Sequence, residues 1–294
     1  MKLGLFEYQN TTHVGLVKQG DSGNGDDDKI HLLQPPPPWD ITTGLAGFID
    51  HPIKETGETL ALSDVKILAP IPRPARNVFC VGKNYHDHAH EFASSGFDSS
   101  ASAGAVPEHP IVFSKVPESV IAHNESVVIS PDISPCVDYE AELTVIIGAT
   151  GRNIAEKDAL NYVWGYTIIN DVTARDLQGQ HSQWLIGKSQ DTFCPMGPFV
   201  VTKDELNLAD TDISCHINGE LRQQSNTRHL IFDVPKTIAA ISNGITLRPG
   251  DVIATGTPAG VGIGFKPPRY LKDGDLMEVA IDGIGVLRNR VRES

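Results

Sequence analysis

The stretch VDYEAELTVIIG, residues 137–148, alternates apolar and polar side chains. Val137, Tyr139, Ala141, Leu143, Val145 and Ile147 alternate with Asp138, Glu140, Glu142, Thr144 and Ile146. A period of two is that of a β-strand with one apolar face. Glu140 and Glu142 then point the same way, ~7 Å apart along the strand. Two carboxylates on one face repel unless a positive charge sits between them, and a hard divalent cation such as Mg²⁺ suits such oxygen ligands. Taken alone, the same pattern also describes a strand with a solvated acidic face.

Working outward, the next strand candidate is VWGYTIIN at 163–170. It is almost wholly apolar, as a strand buried on both faces is. It ends in Asp171, and a carboxylate at the end of a buried strand is costly unless paired or ligated. Thr173, Arg175, Asp176 and Gln178 follow. In a helical turn Arg175 and Gln178 share a face at i, i+3. A structural reading is also open, with Asp171 capping that helix and pairing with Arg175.

Upstream, GKNYHDHAHEF at 82–92 becomes helical from about Tyr85. Its histidines at 86, 88 and 90 cannot share one helix face, which argues against a three-histidine metal site. His88 and Glu91 do share a face, and a carboxylate that fixes an imidazole's tautomer makes a general base. A surface pair is the plainer alternative. Downstream, WLIGKSQDTFCP at 184–195 places Lys188 in an apolar context that suits electrostatic work on an anion. A solvent-facing lysine is the other possibility. ATGTPAGVGIG at 254–264 is rich in small residues. Its backbone N–H groups can cradle an anion with the Thr257 hydroxyl assisting, or the segment is a tight turn. Neither a P-loop nor a G-x-G-x-x-G fingerprint is present.

Strands are also expected at 111–113, 126–129, 198–201, 212–217, 251–255 and 277–281, and helices at 42–48, 156–161, 173–178 and 235–244. Many strands and few helices indicate a β-rich α+β fold of mixed sheets or a barrel-like roll. Residues 1–70 differ in texture, with short strand candidates, a polar loop at 20–28 and PPPP at 35–38, and read as a small N-terminal module. Pro70, Pro72 and Pro74 mark a stiff boundary before a larger domain at 71–294. The Ser-, Gly- and Ala-rich run at 94–108 has the length of a functional loop such as a lid.

Bulk composition narrows the function. The net charge of −13 over 294 residues argues against nucleic acid and against an anionic membrane surface. The 40% hydrophobic content is enough for a real core. The four cysteines form no C-x-x-C pair and read as reduced thiols. MKLGLFEYQN does not resemble a secretory signal, and no run approaches the ~20 apolar residues of a membrane span. A soluble, cytoplasmic protein is expected.

The segments GKNYHDHAHEF, PIVFSKVPESVI, VDYEAELTVIIG, GYTIINDVTARDLQ, LIGKSQDTFCPMGP, INGELRQQSNT and LRPGDVIATGTPAGVG together resemble the fumarylacetoacetate hydrolase family. They occur in the family's order and cover about residues 70–290. The resemblance implies a mixed β-roll, usually a homodimer. It implies Glu140, Glu142 and Asp171 as ligands of Mg²⁺ (or Mn²⁺ or Ca²⁺), His88 and Glu91 as a water-activating dyad, and Lys188 as the catalytic lysine. It also implies Arg175, Gln178 and Thr257 as substrate-binding residues, with a lid after Glu91. Two features depart from the founding hydrolases. FCVGKNY carries no acid before the histidine, and GQHSQW stands where a substrate-binding tyrosine would follow R-D-x-Q. True fumarylacetoacetate is therefore a poor fit. The expected activity is metal-dependent hydrolysis of a C–C bond in a small 2-oxo or 1,3-dicarbonyl acid of acylpyruvate type. The alternatives are a decarboxylase of oxaloacetate-like or hydroxymuconate-type acids, an isomerase of such acids, and a non-catalytic protein of the same fold.

Overall fold

The computed structural model describes residues 1–20, 28–94, 96 and 106–294. Most of the 20–28 loop and of the 94–108 run lies outside the described residues.

The expected mixed, β-rich architecture is what the chain adopts. One large sheet runs in the order Glu55–Ala61, Lys29–Leu33, Thr11–Lys18, Lys2–Tyr8, Cys194–Thr202, Val163–Asn170, Ala141–Ile147, Val252–Ala254, Val78–Gly82 and Ile111–Lys115. Most neighbours are antiparallel, but Val252–Ala254 and Val78–Gly82 run parallel. The N-terminal strands extend this sheet, since Lys2 and Leu3 pair with Val201 and Val200. A second sheet of five strands is ordered Glu220–Asn226, Asp212–Ile217, Leu276–Ile281, Gly285–Glu293 and Ser126–Ile129.

One apolar core lies between the two sheets, where Leu143, Tyr166 and Ile168 meet Ile213, Val279 and Leu287. A second core covers the opposite face of the large sheet, where Ile146, Ile169 and Val252 meet Leu3, Leu5 and Phe48. This double cover corrects the reading of the 137–148 stretch. Every residue of Ala141–Ile147 is buried, so neither face is solvated. The strand is also interrupted. Val137–Asp138 pairs separately with Thr173–Ala174, and Glu140 sits in the break. Its N–H donates to the Asn170 side chain at 3.0 Å, and its carbonyl accepts from Asp171 N at 2.8 Å. The break thus brings Glu140 beside the end of the neighbouring buried strand.

The short helices follow the sequence with small shifts. His86–Ala93, Arg175–Gln180 and Val234–Ser242 are α-helical, and Asp233 caps the last by accepting from Lys236 N. The segments expected as helix at 42–48 and 156–161 are the tighter 3₁₀ turns Gly44–Phe48 and Glu156–Tyr162. Two strands of the small sheet, Glu220–Asn226 and Gly285–Glu293, were not anticipated. The first is ELRQQSN, a polar strand at the sheet's edge, where few side chains need burial. Among the described residues, no helix is long and apolar enough to cross a membrane.

Candidate active site

Three carboxylates converge where the buried strands end. Ligand oxygens of Glu140, Glu142 and Asp171 lie within 4.8 Å of one another, and all three residues are buried. A solvated acidic face is therefore excluded, and these carboxylates need compensation inside the protein.

Buried cations supply part of it. Lys188 Nζ donates to Glu140 Oε2 and to Asp171 Oδ2, each at 2.8 Å. Arg175 Nη1 pairs with Glu140 Oε1 at 2.6 Å. Burial alone would push Glu140 up, but Lys188 and Arg175 outweigh it and bring its carboxyl down to about 2. Glu142 goes the other way. Burial, reinforced by the Asp171 and Glu140 carboxylates, drives it well above the usual carboxylate range. Its Oε2 accepts from the Gly256 N–H at 2.8 Å. Of the three, Glu142 is the one whose charge its surroundings compensate least. Three hard oxygens at this spacing, one of them under-compensated, fit a divalent cation such as Mg²⁺.

Arg175 and Gln178 share a helix face as expected, and both are buried. Arg175 Nε donates to Asp138 Oδ2 at 2.9 Å and Nη1 to Gln178 Oε1 at 3.2 Å, while Nη2 has no hydrogen-bond partner among the described residues. Thr257 is also buried, and its hydroxyl accepts from Gln223 Nε2 at 2.8 Å.

His88 and Glu91 form the expected pair. His88 Nδ1 lies 3.2 Å from Glu91 Oε2. His88 is buried, whereas His86 and His90 are exposed, which confirms that the three do not act together. Glu91 is held in turn by the Gly260 N–H at 3.0 Å. The 254–264 loop does cradle anions with its backbone, but they are the protein's own. Gly256 N serves Glu142, Gly260 N serves Glu91, and Gly262 N and Ile263 N serve Asp138 at 2.7 and 3.0 Å. Gly260 also has a packing reason to be glycine. A Cβ there would stand 1.9 Å from the Arg222 carbonyl oxygen.

One small cavity is lined by His88, Glu140, Glu142, Arg175, Gln178, Lys188 and Thr257. Asp171 lies behind it, tied to Lys188. Residues beyond the sequence-based set support it. Lys115 is fully buried and donates to Asp171 Oδ1 at 2.6 Å, to the Val172 carbonyl and to the Lys188 carbonyl. Asp138 ties Arg175 to the 254–264 loop. Lys83, Phe92, Phe113 and Trp184 also line it, with Val81 and Gly82. Lys115 closes the strand Ile111–Lys115 much as Asp171 follows Val163–Asn170, which is its one local signal in the sequence. The alternation of 137–148 puts Asp138 on the polar face and carries no sign of its pairing with Arg175.

Comparisons with known proteins bear on the family. A sequence model described as fumarylacetoacetate (FAA) hydrolase C-terminal matches residues 77–292, and one described as Rv2993c-like, N-terminal matches residues 1–70. The chain is 46% identical over 249 residues to oxaloacetate tautomerase YisK of Bacillus subtilis, covering 84% of this chain and 80% of that one. Its fold superposes on the fumarylacetoacetate hydrolase of psychrophilic Exiguobacterium antarcticum with a TM-score of 0.83 and 41% identity, over 100% of both chains. The 2-hydroxyhepta-2,4-diene-1,7-dioate isomerase of Mycobacterium marinum superposes at 0.80 with 32% identity, over 100% of this chain and 99% of that one. With seven ordered motifs, the acidic triad and these matches in agreement, the chain belongs to the fumarylacetoacetate hydrolase family.

Proposed function

We propose that this chain is a metal-dependent tautomerase that interconverts the keto and enol forms of a small 2-oxo dicarboxylic acid such as oxaloacetate. The observation that carries the reading is one cavity shared by the three-carboxylate cluster and an imidazole whose Nδ1 is held by a carboxylate. Tautomerisation asks for that combination. A divalent cation held by Glu140, Glu142 and Asp171 would supply Lewis acidity to a bound 2-oxo group. Arg175 presents Nη2 to the carboxylate beside that group, with Gln178 and Thr257 orienting the substrate. His88 removes a proton from C3 of the keto form and delivers one to the oxygen, or runs the sequence in reverse. One C–H bond is exchanged for one O–H bond, and no water is consumed. Glu91 fixes the His88 tautomer and ring orientation. Lys188 steadies the charge that develops on the acids and the substrate.

The charge of the site supports a dianion. Among the buried groups around the cavity, apart from the dyad, Asp138, Glu140, Glu142 and Asp171 balance Lys83, Lys115, Arg175 and Lys188. A divalent cation then leaves an excess of two positive charges, which suits a dicarboxylate.

Hydrolysis of an acylpyruvate, the leading expectation from sequence, becomes the second reading. The likeness to the Exiguobacterium fumarylacetoacetate hydrolase favours it, and the same dyad can activate water. The names of the Bacillus and Mycobacterium relatives favour the isomerising alternative. The two are separated by following enol-oxaloacetate loss and pyruvate release in parallel, with Mg²⁺ and with EDTA. The tautomerase reading expects EDTA-sensitive loss of enol without pyruvate. Rapid pyruvate release from acetylpyruvate, with enol decay left at its spontaneous rate, would establish the hydrolase instead. We further propose that the chain acts as a homodimer in the cytoplasm; light scattering tests the assembly.

A further inference from the structure

We infer that Trp184 sets the length of acid that the site accepts, an inference that rests on the tautomerase reading above. Trp184 closes the GQHSQW segment and caps the short helix Leu185–Lys188. Its carbonyl accepts from Lys188 N at 3.0 Å. Side chains four apart on such a turn share a face, and here both the indole and the ammonium border the cavity. The cavity therefore has two unlike walls. Glu140, Glu142 and Lys188 form a charged one, and Trp184, Phe92 and Phe113 an aromatic one. They meet where Lys188 Nζ lies 4.9 Å from the centre of the Phe113 ring.

The aromatic wall is held on three sides. The Trp184 ring meets Phe113 edge-to-face, with centroids 5.2 Å apart and planes at 64°. It meets Phe92 in the same way, at 6.1 Å and 71°. Gly82 backs the indole, and a Cβ there would stand 2.5 Å from Trp184 Cζ3. Gly82 is not among the glycines at positive φ, so close packing is what its missing side chain serves. Trp184 is 7% exposed, which leaves the ring little room to swing outward. The cavity, open mouth included, holds about 270 Å³ of empty space, below the usual range of small-molecule sites. An acid chelated at the carboxylate cluster fits while its chain is short. A longer chain must displace a ring locked by two others and by the backbone at Gly82.

The test is calorimetric binding of oxalate, 2-oxoglutarate and 2-oxoadipate to the Mg²⁺-loaded protein. Oxalate presents only a metal-chelating end, and the other two extend oxaloacetate by one and two methylenes. The wild-type protein should bind 2-oxoadipate ~10-fold more weakly than 2-oxoglutarate, the scale of one methylene against a closed wall. Trp184→Ala should remove that gap and leave oxalate within ~3-fold, less than one methylene is worth. Trp184→Phe should narrow the gap, and carries the test if Trp184→Ala does not fold. Equal binding of the two diacids by the wild-type protein, a gap that survives substitution, or oxalate weakened by as much as the gap would overturn the inference. Closure of the gap in a protein that leaves enol-oxaloacetate at its spontaneous decay would support Trp184 and overturn the tautomerase reading.

Discussion

The molecule sets lysine against carboxylate in two very different settings, one exposed and one enclosed. On the N-terminal strands, Lys18 Nζ lies 3.0 Å from Glu55 Oε1, and His31 shares that acid. Both side chains of this pair are more than one-third exposed. At the end of the central strands, Lys188 lies 2.8 Å from Glu140 and Asp171, all of them almost fully buried. The distances are alike, and the consequences differ. Water and salt screen the first group, and such a pair contributes ~0–1 kcal/mol. The second is enclosed by protein, so removing one member strands the others as uncompensated buried charge. Distance alone does not distinguish a decorative ion pair from a functional one; enclosure and imbalance do.

Substitutions sharpen that contrast. The largest effect should come from Glu140→Ala, which removes a carboxylate of the acidic cluster and leaves Lys188 and Arg175 short of a partner. It should abolish both turnover and Mg²⁺ binding, read by assay and by calorimetry; retained turnover would sink the assignment of Glu140. Next comes Lys115→Met, which leaves Asp171 without its closest cation. Urea unfolding should show a loss of about 3–5 kcal/mol, typical of breaking a buried pair.

Protons probe the same imbalance. Glu142 lies well above the usual carboxylate range because of burial and its acidic neighbours, so it must give up a proton to hold a cation. The Mg²⁺ affinity should fall as pH drops below neutral, and calorimetry across that range would contradict the account if the affinity stayed level. Glu140 has the opposite sign. Its carboxyl is depressed to about 2, so its contribution to stability is present above the ordinary glutamate range and is lost as pH falls toward that value. The smallest effect belongs to Lys18→Met. It should change stability by less than ~1 kcal/mol, and added salt should shrink even that.

The same contrast explains what the sequence made legible. Glu140, Glu142 and Asp171 stood out because acids interrupt or end apolar runs, and the chain around them is β-patterned. His88 and Glu91 were visible because helical spacing alone brings them together. The double burial of Ala141–Ile147 was not visible, because the cover on its second face comes from Leu3, Leu5 and Phe48, far away in the chain. Lys115 and Asp138 escaped for the same reason. Lys115 meets Asp171 across 56 residues, and Asp138 meets Gly262 across 124. Local periodicity carries no record of such pairings. The anion-cradling loop was legible as chemistry, but which anions it holds was decided by tertiary contacts.

The most direct test of the central claim is a Mg²⁺ titration of EDTA-stripped protein while the decay of enol-oxaloacetate is followed. The account predicts a saturable acceleration that Glu140→Ala lacks. An acceleration that survives EDTA and is unchanged by Mg²⁺ would contradict it.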